Sequence, residues 1–184
     1  MNDLRIIVTG GTIDAKEYDF SEGKVISFGN PAVENILKTG RVRYLKAETK
    51  TEKEEDADIL VLGQKDSMEM TDADREQILS LVLSDSRKRF LITHGTDTMQ
   101  KTGALLAKNV KDKTIVLTGA MRPFLSENSD AAFNLGGALV ACQTLRPGVY
   151  IVIQGEIFPV NEVRKIKIGG EGFFRKTKGD DLFV

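Results

Sequence analysis

Short apolar runs recur along the chain, and each ends in a loop of small and polar residues: Leu4 to Val8, Ile59 to Leu62, Phe90 to Thr93, Ile115 to Thr118 and Val149 to Ile153. They are rich in β-branched residues, too short for helices, and apolar at positions that point to both sides. That pattern predicts strands of a parallel sheet covered by helices on both faces. Arg41 to Lys46 is a weaker, edge-like candidate. Helices are expected over Pro31 to Lys38, Asp72 to Leu83, Met99 to Asn109 and Ser129 to Thr144, the second opened by Thr71 as a cap with acids in its first turn. Strand alternating with helix implies right-handed crossovers and a three-layer α/β sandwich around a mostly parallel, doubly wound sheet.

The 184 residues suit one domain, expected to span residues 1–184. Glu52 to Asp58 reads as a solvated acidic turn. Ile168 to Val184 is less legible, because glycines and scattered cations dilute two apolar knots, Phe173-Phe174 and Leu182-Phe183-Val184. Either knot could dock on the domain or on a second subunit. Lys plus Arg number 26 against 27 Asp plus Glu, so a duplex-coating or polybasic membrane role has no electrostatic footing. A single cysteine, Cys142, excludes an intramolecular disulfide framework, and a single histidine, His94, excludes a zinc site that needs two imidazoles. Met1 to Arg5 runs straight into Ile6-Ile7-Val8 without a signal-peptide pattern, and the sequence lacks an 18-residue apolar run, so a cytoplasmic protein is expected.

In open α/β sheets ligands bind beyond the carboxyl ends of the strands, which directs attention to the loops after the apolar runs. These read Thr9-Gly10-Gly11-Thr12-Ile13, Gln64-Lys65-Asp66-Ser67, His94-Gly95-Thr96-Asp97-Thr98, Gly119-Ala120-Met121-Arg122-Pro123 and Gln154-Gly155-Glu156. Thr12 follows two glycines whose missing Cβ atoms let a substrate approach the backbone, a setting for a nucleophile; the alternative is a tight strand-to-helix turn. A phosphate loop is disfavoured, since neither GxGxxG nor a Lys-Ser/Thr ending is present. A hydroxyl nucleophile needs a base. His94 is one option, although an imidazole ending a buried strand reads first as a satisfied structural group. Asp97 can cap the helix that starts near Met99 or hold an ammonium. By residue type alone Ser67 reads as a turn residue, Tyr18 as a surface phenol in a mobile polar stretch from Asp14 to Glu22, and Lys165 as one of several solvated cations.

Taken together, TGGTI at Thr9 to Ile13, HGTDT at His94 to Thr98 and TGAMRP at Thr118 to Pro123 resemble the signatures of the L-asparaginase family of amidohydrolases. The similarity runs in order from Ile6 to about Lys165, nearly the whole of that family's amino-terminal domain. The family's carboxy-terminal domain, which helps close the site from a neighbouring subunit, has no counterpart in these residues. The resemblance implies that Thr12 attacks a side-chain amide carbon to form an acyl-enzyme. It implies further that Thr96, Asp97 and Lys165 form a hydroxyl-carboxylate-amine set that deprotonates a threonine. Ser67 matches the serine that holds the substrate α-carboxylate, Asp97 also meets the α-amino group, and Tyr18 matches a lid tyrosine that orients the nucleophile. Gly11, Asp66 and Gly95 complete the expected substrate-binding set.

The function these features imply is that of a single-domain amidohydrolase converting L-asparagine to L-aspartate and ammonia, with minor L-glutamine activity. It would need no metal or organic cofactor, act as a homo-oligomer, and engage neither nucleic acid nor membrane. The competing readings are a non-catalytic amino-acid or amide-binding module and an ammonia-donating amidase subunit acting on a larger amide.

Overall fold

The computed structural model describes residues 3–42, 59–168 and 171–177. Its central sheet has the order β4 (Ile59–Lys65), β1 (Leu4–Gly10), β5 (Arg89–Thr93), β6 (Thr114–Thr118), β7 (Gly148–Ile153), β8 (Glu156–Pro159). The first five run parallel, and β8 lies antiparallel to β7 at one edge. Among the described residues four helices cover it: α1 (Ala32–Thr39), α2 (Asp72–Ser84), α3 (Met99–Asn109) and α4 (Ala131–Thr144). The expected α/β sandwich is the observed architecture.

The strands are apolar throughout because successive side chains enter different layers. Leu4, Ile6 and Val8 of β1, with Leu91 of β5 and Val116 of β6, pack among residues of α1 and α4. Ile7, Phe90, Ile92, Ile115 and Leu117 join residues of α2 and α3 in a second core. Each fully buried aliphatic side chain of this kind contributes about 1.5–3 kcal/mol. The cap expected for α2 is present as a reciprocal box: Thr71 Oγ1 accepts from the Asp74 amide at 3.3 Å, and Asp74 Oδ2 accepts from the Thr71 amide at 2.8 Å.

Other elements depart from the sequence pattern. The polar Asp14 to Glu22 segment enters a hairpin that is not among the expected elements: β2 (Ala15–Asp19) pairs antiparallel with β3 (Lys24–Phe28). Asp19 builds its turn by accepting from the amides of Ser21 and Glu22, and Gly23 supplies φ +68°. Strand β8 is an addition to the expected set; it follows β7 through a two-residue turn in which both Gln154 (φ 54°) and Gly155 (φ 79°) have positive φ, the requirement of a type I′ hairpin. Helix α4 begins at Ala131 rather than Ser129. A second separate hairpin, β9 (Val163–Ile168) with β10 (Glu171–Lys176), occupies part of the tail, and Phe174 is buried against Phe158. Leu182 to Val184, Glu52 to Asp58 and most of Arg41 to Lys46 lie outside the described residues.

The strand order fixes where a site can form. From β1 the chain moves to one side to make β4, then crosses back to make β5, β6 and β7 on the other, so the topology switches between β1 and β5. Loops leaving their carboxyl ends diverge and leave a crevice there. Glycine controls how closely the walls approach. A Cβ on Gly10 (φ 96°) would stand 2.4 Å from the Lys65 backbone nitrogen, and one on Gly11 (φ 88°) would stand 2.5 Å from Gly95 Cα. Backbone atoms cannot yield as a flexible side chain would. Gly11→Ala is therefore expected to lower unfolding stability by about 3 kcal/mol, combining left-handed strain with displacement of the Gly95 loop. Urea denaturation checks this; a loss below about 1 kcal/mol would show that the two loops do not need this approach.

Candidate active site

Five of the sequence-selected residues line one cavity of about 690 Å³ at the switch point: Thr12, Tyr18, Thr96, Asp97 and Lys165. Thr12 opens a single 3-10 turn directly after β1, and Thr96 stands in the loop after β5. Lys165 enters from β9, and its Nζ donates to Thr96 Oγ1 at 2.7 Å and to Asp97 Oδ1 at 2.7 Å. Its side chain is 17% exposed, so the pair with Asp97 is partly shielded from water. Asp97 does not cap α3. Thr98 occupies the cap position without a side-chain cap bond; its hydroxyl donates to the Ser67 carbonyl at 2.7 Å. The Asp97 carboxylate is drawn to the lysine instead.

Tyr18 reaches the cavity from β2 and shares a hydrogen bond with the Thr12 side chain. Burial pushes its phenol above the ordinary value, opposed by that hydrogen bond and reinforced by the negative charges of Asp97, Asp66 and Asp19. The tyrosine is thus a neutral hydroxyl at physiological pH, suited to orienting Thr12 rather than to removing its proton.

Ser67, Gly11, Gly95 and Asp66 do not line the cavity. The first three stack behind it: Gly11 abuts Gly95, and a Cβ on Gly95 would meet the Ser67 side chain at 2.5 Å. Ser67 is 2% exposed, and among the described residues its Oγ has no hydrogen-bond partner. Asp66 ties down the neighbouring hairpin, since Oδ2 accepts from the Val25 amide at 3.2 Å and Oδ1 from the Met68 amide at 3.0 Å.

His94 is a satisfied structural group and not a base. It is fully buried; Nδ1 lies 2.8 Å from the Gly95 carbonyl and Nε2 2.7 Å from Thr102 Oγ1. A carbonyl only accepts, so Nδ1 carries the proton and Nε2 takes the threonine hydrogen. The first threonine of the TGGTI motif and that of TGAMRP are structural as well: Thr9 Oγ1 donates to the Thr93 carbonyl and Thr118 Oγ1 to the Val152 carbonyl, stitching adjacent strand ends.

Residue type gives no reason to select Met121, Asp130, Asn134 or Gln154, although the loops after β6 and β7 are marked by position. Asp130 accepts from the amides of Met121 and Arg122, each at 3.0 Å, and from Asn134 Nδ2 at 2.8 Å. It thereby shapes the loop after β6, while Met121 and Gln154 form part of the cavity wall. Among the described residues, no group of three or more His, Cys, Asp or Glu side chains is placed to hold a metal ion, and no helix is long and apolar enough to cross a membrane.

A doubly wound α/β protein with a threonine-lysine-aspartate cavity at its topological switch is the class that fold and geometry define. The family model described as "Asparaginase, N-terminal" matches residues 3–182, and the chain belongs to that family. It is 32% identical over 172 residues to L-asparaginase 2 of Escherichia coli (strain K12), covering 89% of this chain and 46% of that protein. It is 30% identical over 196 residues to L-asparaginase of Thermococcus kodakarensis, covering 98% and 55%. The crystal structure of L-asparaginase I from Vibrio cholerae superimposes with a TM-score of 0.72 at 23% identity, over 96% of this chain and 52% of that one, and shares the fold. The chain spans about half the length of the curated relatives it matches.

Burial holds the His94 imidazole down at about 4, helped by the nearby Arg75 charge and opposed by the Gly95 hydrogen bond. The folded protein therefore keeps it neutral between about pH 4 and its ordinary 6.5, where the unfolded chain takes up a proton. Stability contributed by this group is present above about 6.5 and is lost as pH falls toward 4, by up to about 3 kcal/mol. Urea midpoints at about pH 7.5 and 4.5 are expected to drop less in His94→Gln than in the parent; an equal drop would contradict the assignment.

Proposed function

We propose that the chain carries the catalytic site of an amidohydrolase that converts L-asparagine to L-aspartate and ammonia. The observation that supports this most is the bridge from Lys165 Nζ to both Thr96 Oγ1 and Asp97 Oδ1, in the cavity that also holds Thr12. A binding module has no physical need for a threonine paired with an amine. Relatives named as asparaginases across nearly the whole of this chain support the same reading.

In the proposed sequence, Tyr18 orients the Thr12 hydroxyl, whose oxygen bonds to the side-chain amide carbon of the substrate. Its proton passes to the Thr96–Lys165 pair. The carbon–nitrogen bond breaks, a proton returns to the departing nitrogen, and ammonia leaves an ester on Thr12. Water then adds to the ester carbon with loss of its proton to the same pair, and the carbon–oxygen bond to Thr12 breaks to release aspartate as the pair returns a proton to the Thr12 oxygen. A positioned base of this kind contributes about 10²- to 10⁴-fold. Asp97 faces the cavity and suits the substrate α-ammonium, while Ser67 Oγ lies buried behind the cavity wall. Asparagine and glutamine differ by one methylene, worth only about 1–3 kcal/mol of discrimination, so glutamine is expected as a slower substrate.

A coupled assay for ammonia tests the reading. Purified protein is expected to release ammonia from L-asparagine, and Thr12→Ala and Thr96→Val are each expected to lower kcat by about 10³-fold or more, with little change in thermal midpoint. Near-parental turnover in Thr12→Ala would overturn the mechanism; calorimetric binding of asparagine with no ammonia from the parent would favour a binding module.

A further inference from the structure

We propose that Gln154 is a positioning residue for Lys165, its side-chain amide clamping the β9–β10 hairpin where the lysine amine meets Thr96. The proposal rests on the catalytic role proposed for Lys165. Among the described residues, strands β9 and β10 pair only with each other and are not hydrogen-bonded into the central sheet. A two-stranded hairpin is marginally stable by itself, so something else must set where its lysine points.

Gln154 does this in the manner of a neighbouring strand. Its Nε2 donates to the Gly172 carbonyl at 3.0 Å, and its Oε1 accepts from the Phe174 amide at 3.0 Å. These are alternate residues of β10, and Phe174 is the one that stands opposite Lys165 in the register. The clamp therefore grips the backbone directly across from the lysine. Beside it the Phe174 ring is buried against Phe158, with centroids 6.4 Å apart.

The clamp is itself anchored. Gln154 lies in the turn between β7 and β8 with φ 54°, and its backbone N–H donates to Asn134 Oδ1 at 2.9 Å. Asn134, 2% exposed, donates in turn to the Gly119 carbonyl at 3.0 Å and to Asp130 Oδ2 at 2.8 Å. One chain of amides thus joins the first turn of α4, the loop after β6, the turn after β7 and the hairpin carrying Lys165. The polarity is specific: one end of the side chain must donate and the other must accept, so a carboxylate at position 154 would face the Gly172 carbonyl with no proton to give.

The test compares Gln154→Ala and Gln154→Glu in the parent and in a Lys165→Ala background, by steady-state ammonia release from asparagine. Gln154→Ala is expected to lower kcat by about 10- to 100-fold, as a misplaced catalytic group does, with KM changed by less than about twofold. With Lys165 already removed, the same substitution is expected to lower kcat by less than about twofold, because its effect is exerted through the lysine. Gln154→Glu is expected to behave as Gln154→Ala, and it supplies the measurement if the alanine variant fails to fold. Equal losses in both backgrounds, or a loss carried by KM alone, would overturn the proposal. A parent protein that releases no ammonia would sink the functional reading instead. The positioning claim is then decided by a crystal structure of Gln154→Ala: departure of Lys165 Nζ from Thr96 Oγ1 supports it, and an unchanged 2.7 Å contact overturns it.

Discussion

Backbone contact between loops that are far apart in sequence is the constraint on which the rest of this molecule depends. The ends of β1 and β4 and the loops after β1 and β5 come together without side chains between them, at Gly10 against Lys65 and Gly11 against Gly95. Gly119 adds the loop after β6, since a Cβ there would stand 2.3 Å from the His94 carbonyl. Thr12 and Thr96 share a cavity because nothing larger than hydrogen separates the chains that carry them. Lys165 then closes the arrangement from a hairpin outside the sheet, bonding to two neighbours 69 and 68 residues away.

Around that contact, polar groups divide into those that hold the frame and those that face the cavity. Thr9, Thr118, His94 and Asp66 are engaged with backbone or with one another's loops. Asp130 is occupied by three nitrogen donors of its own loop and helix. Thr12, Tyr18, Thr96, Asp97 and Lys165 are left toward the open space, with Ser67 buried behind them.

The sheet is legible in the sequence because burial on both faces writes continuous apolar runs, as at Ile6-Ile7-Val8 and Leu91-Ile92. The threonine clusters are legible from position at strand ends and from motif resemblance. Lys165 is not legible from its own surroundings: Arg164, Lys165 and Lys167 look alike in sequence, and only the resemblance singles one out. The β2–β3 hairpin is hidden although Asp19, Ser21 and Gly23 carry turn chemistry, since β2 is largely polar and each strand is only five residues long. Strand β8 is hidden because Gln-Gly is a less familiar pair than Asn-Gly for a type I′ turn. Asn134 and Gln154 are invisible for a different reason, as amides carry no charge or nucleophilicity, and their work lies in backbone contacts that only coordinates display.

Whether these loops assemble one nucleophile is measured most directly by mass analysis of the protein acid-quenched during turnover of L-asparagine. A peptide containing Thr12 is expected to gain one aspartyl group and to lose it again when turnover is allowed to finish before the quench. An aspartyl group on any other residue, or ammonia released steadily from a protein that never carries one, would contradict it.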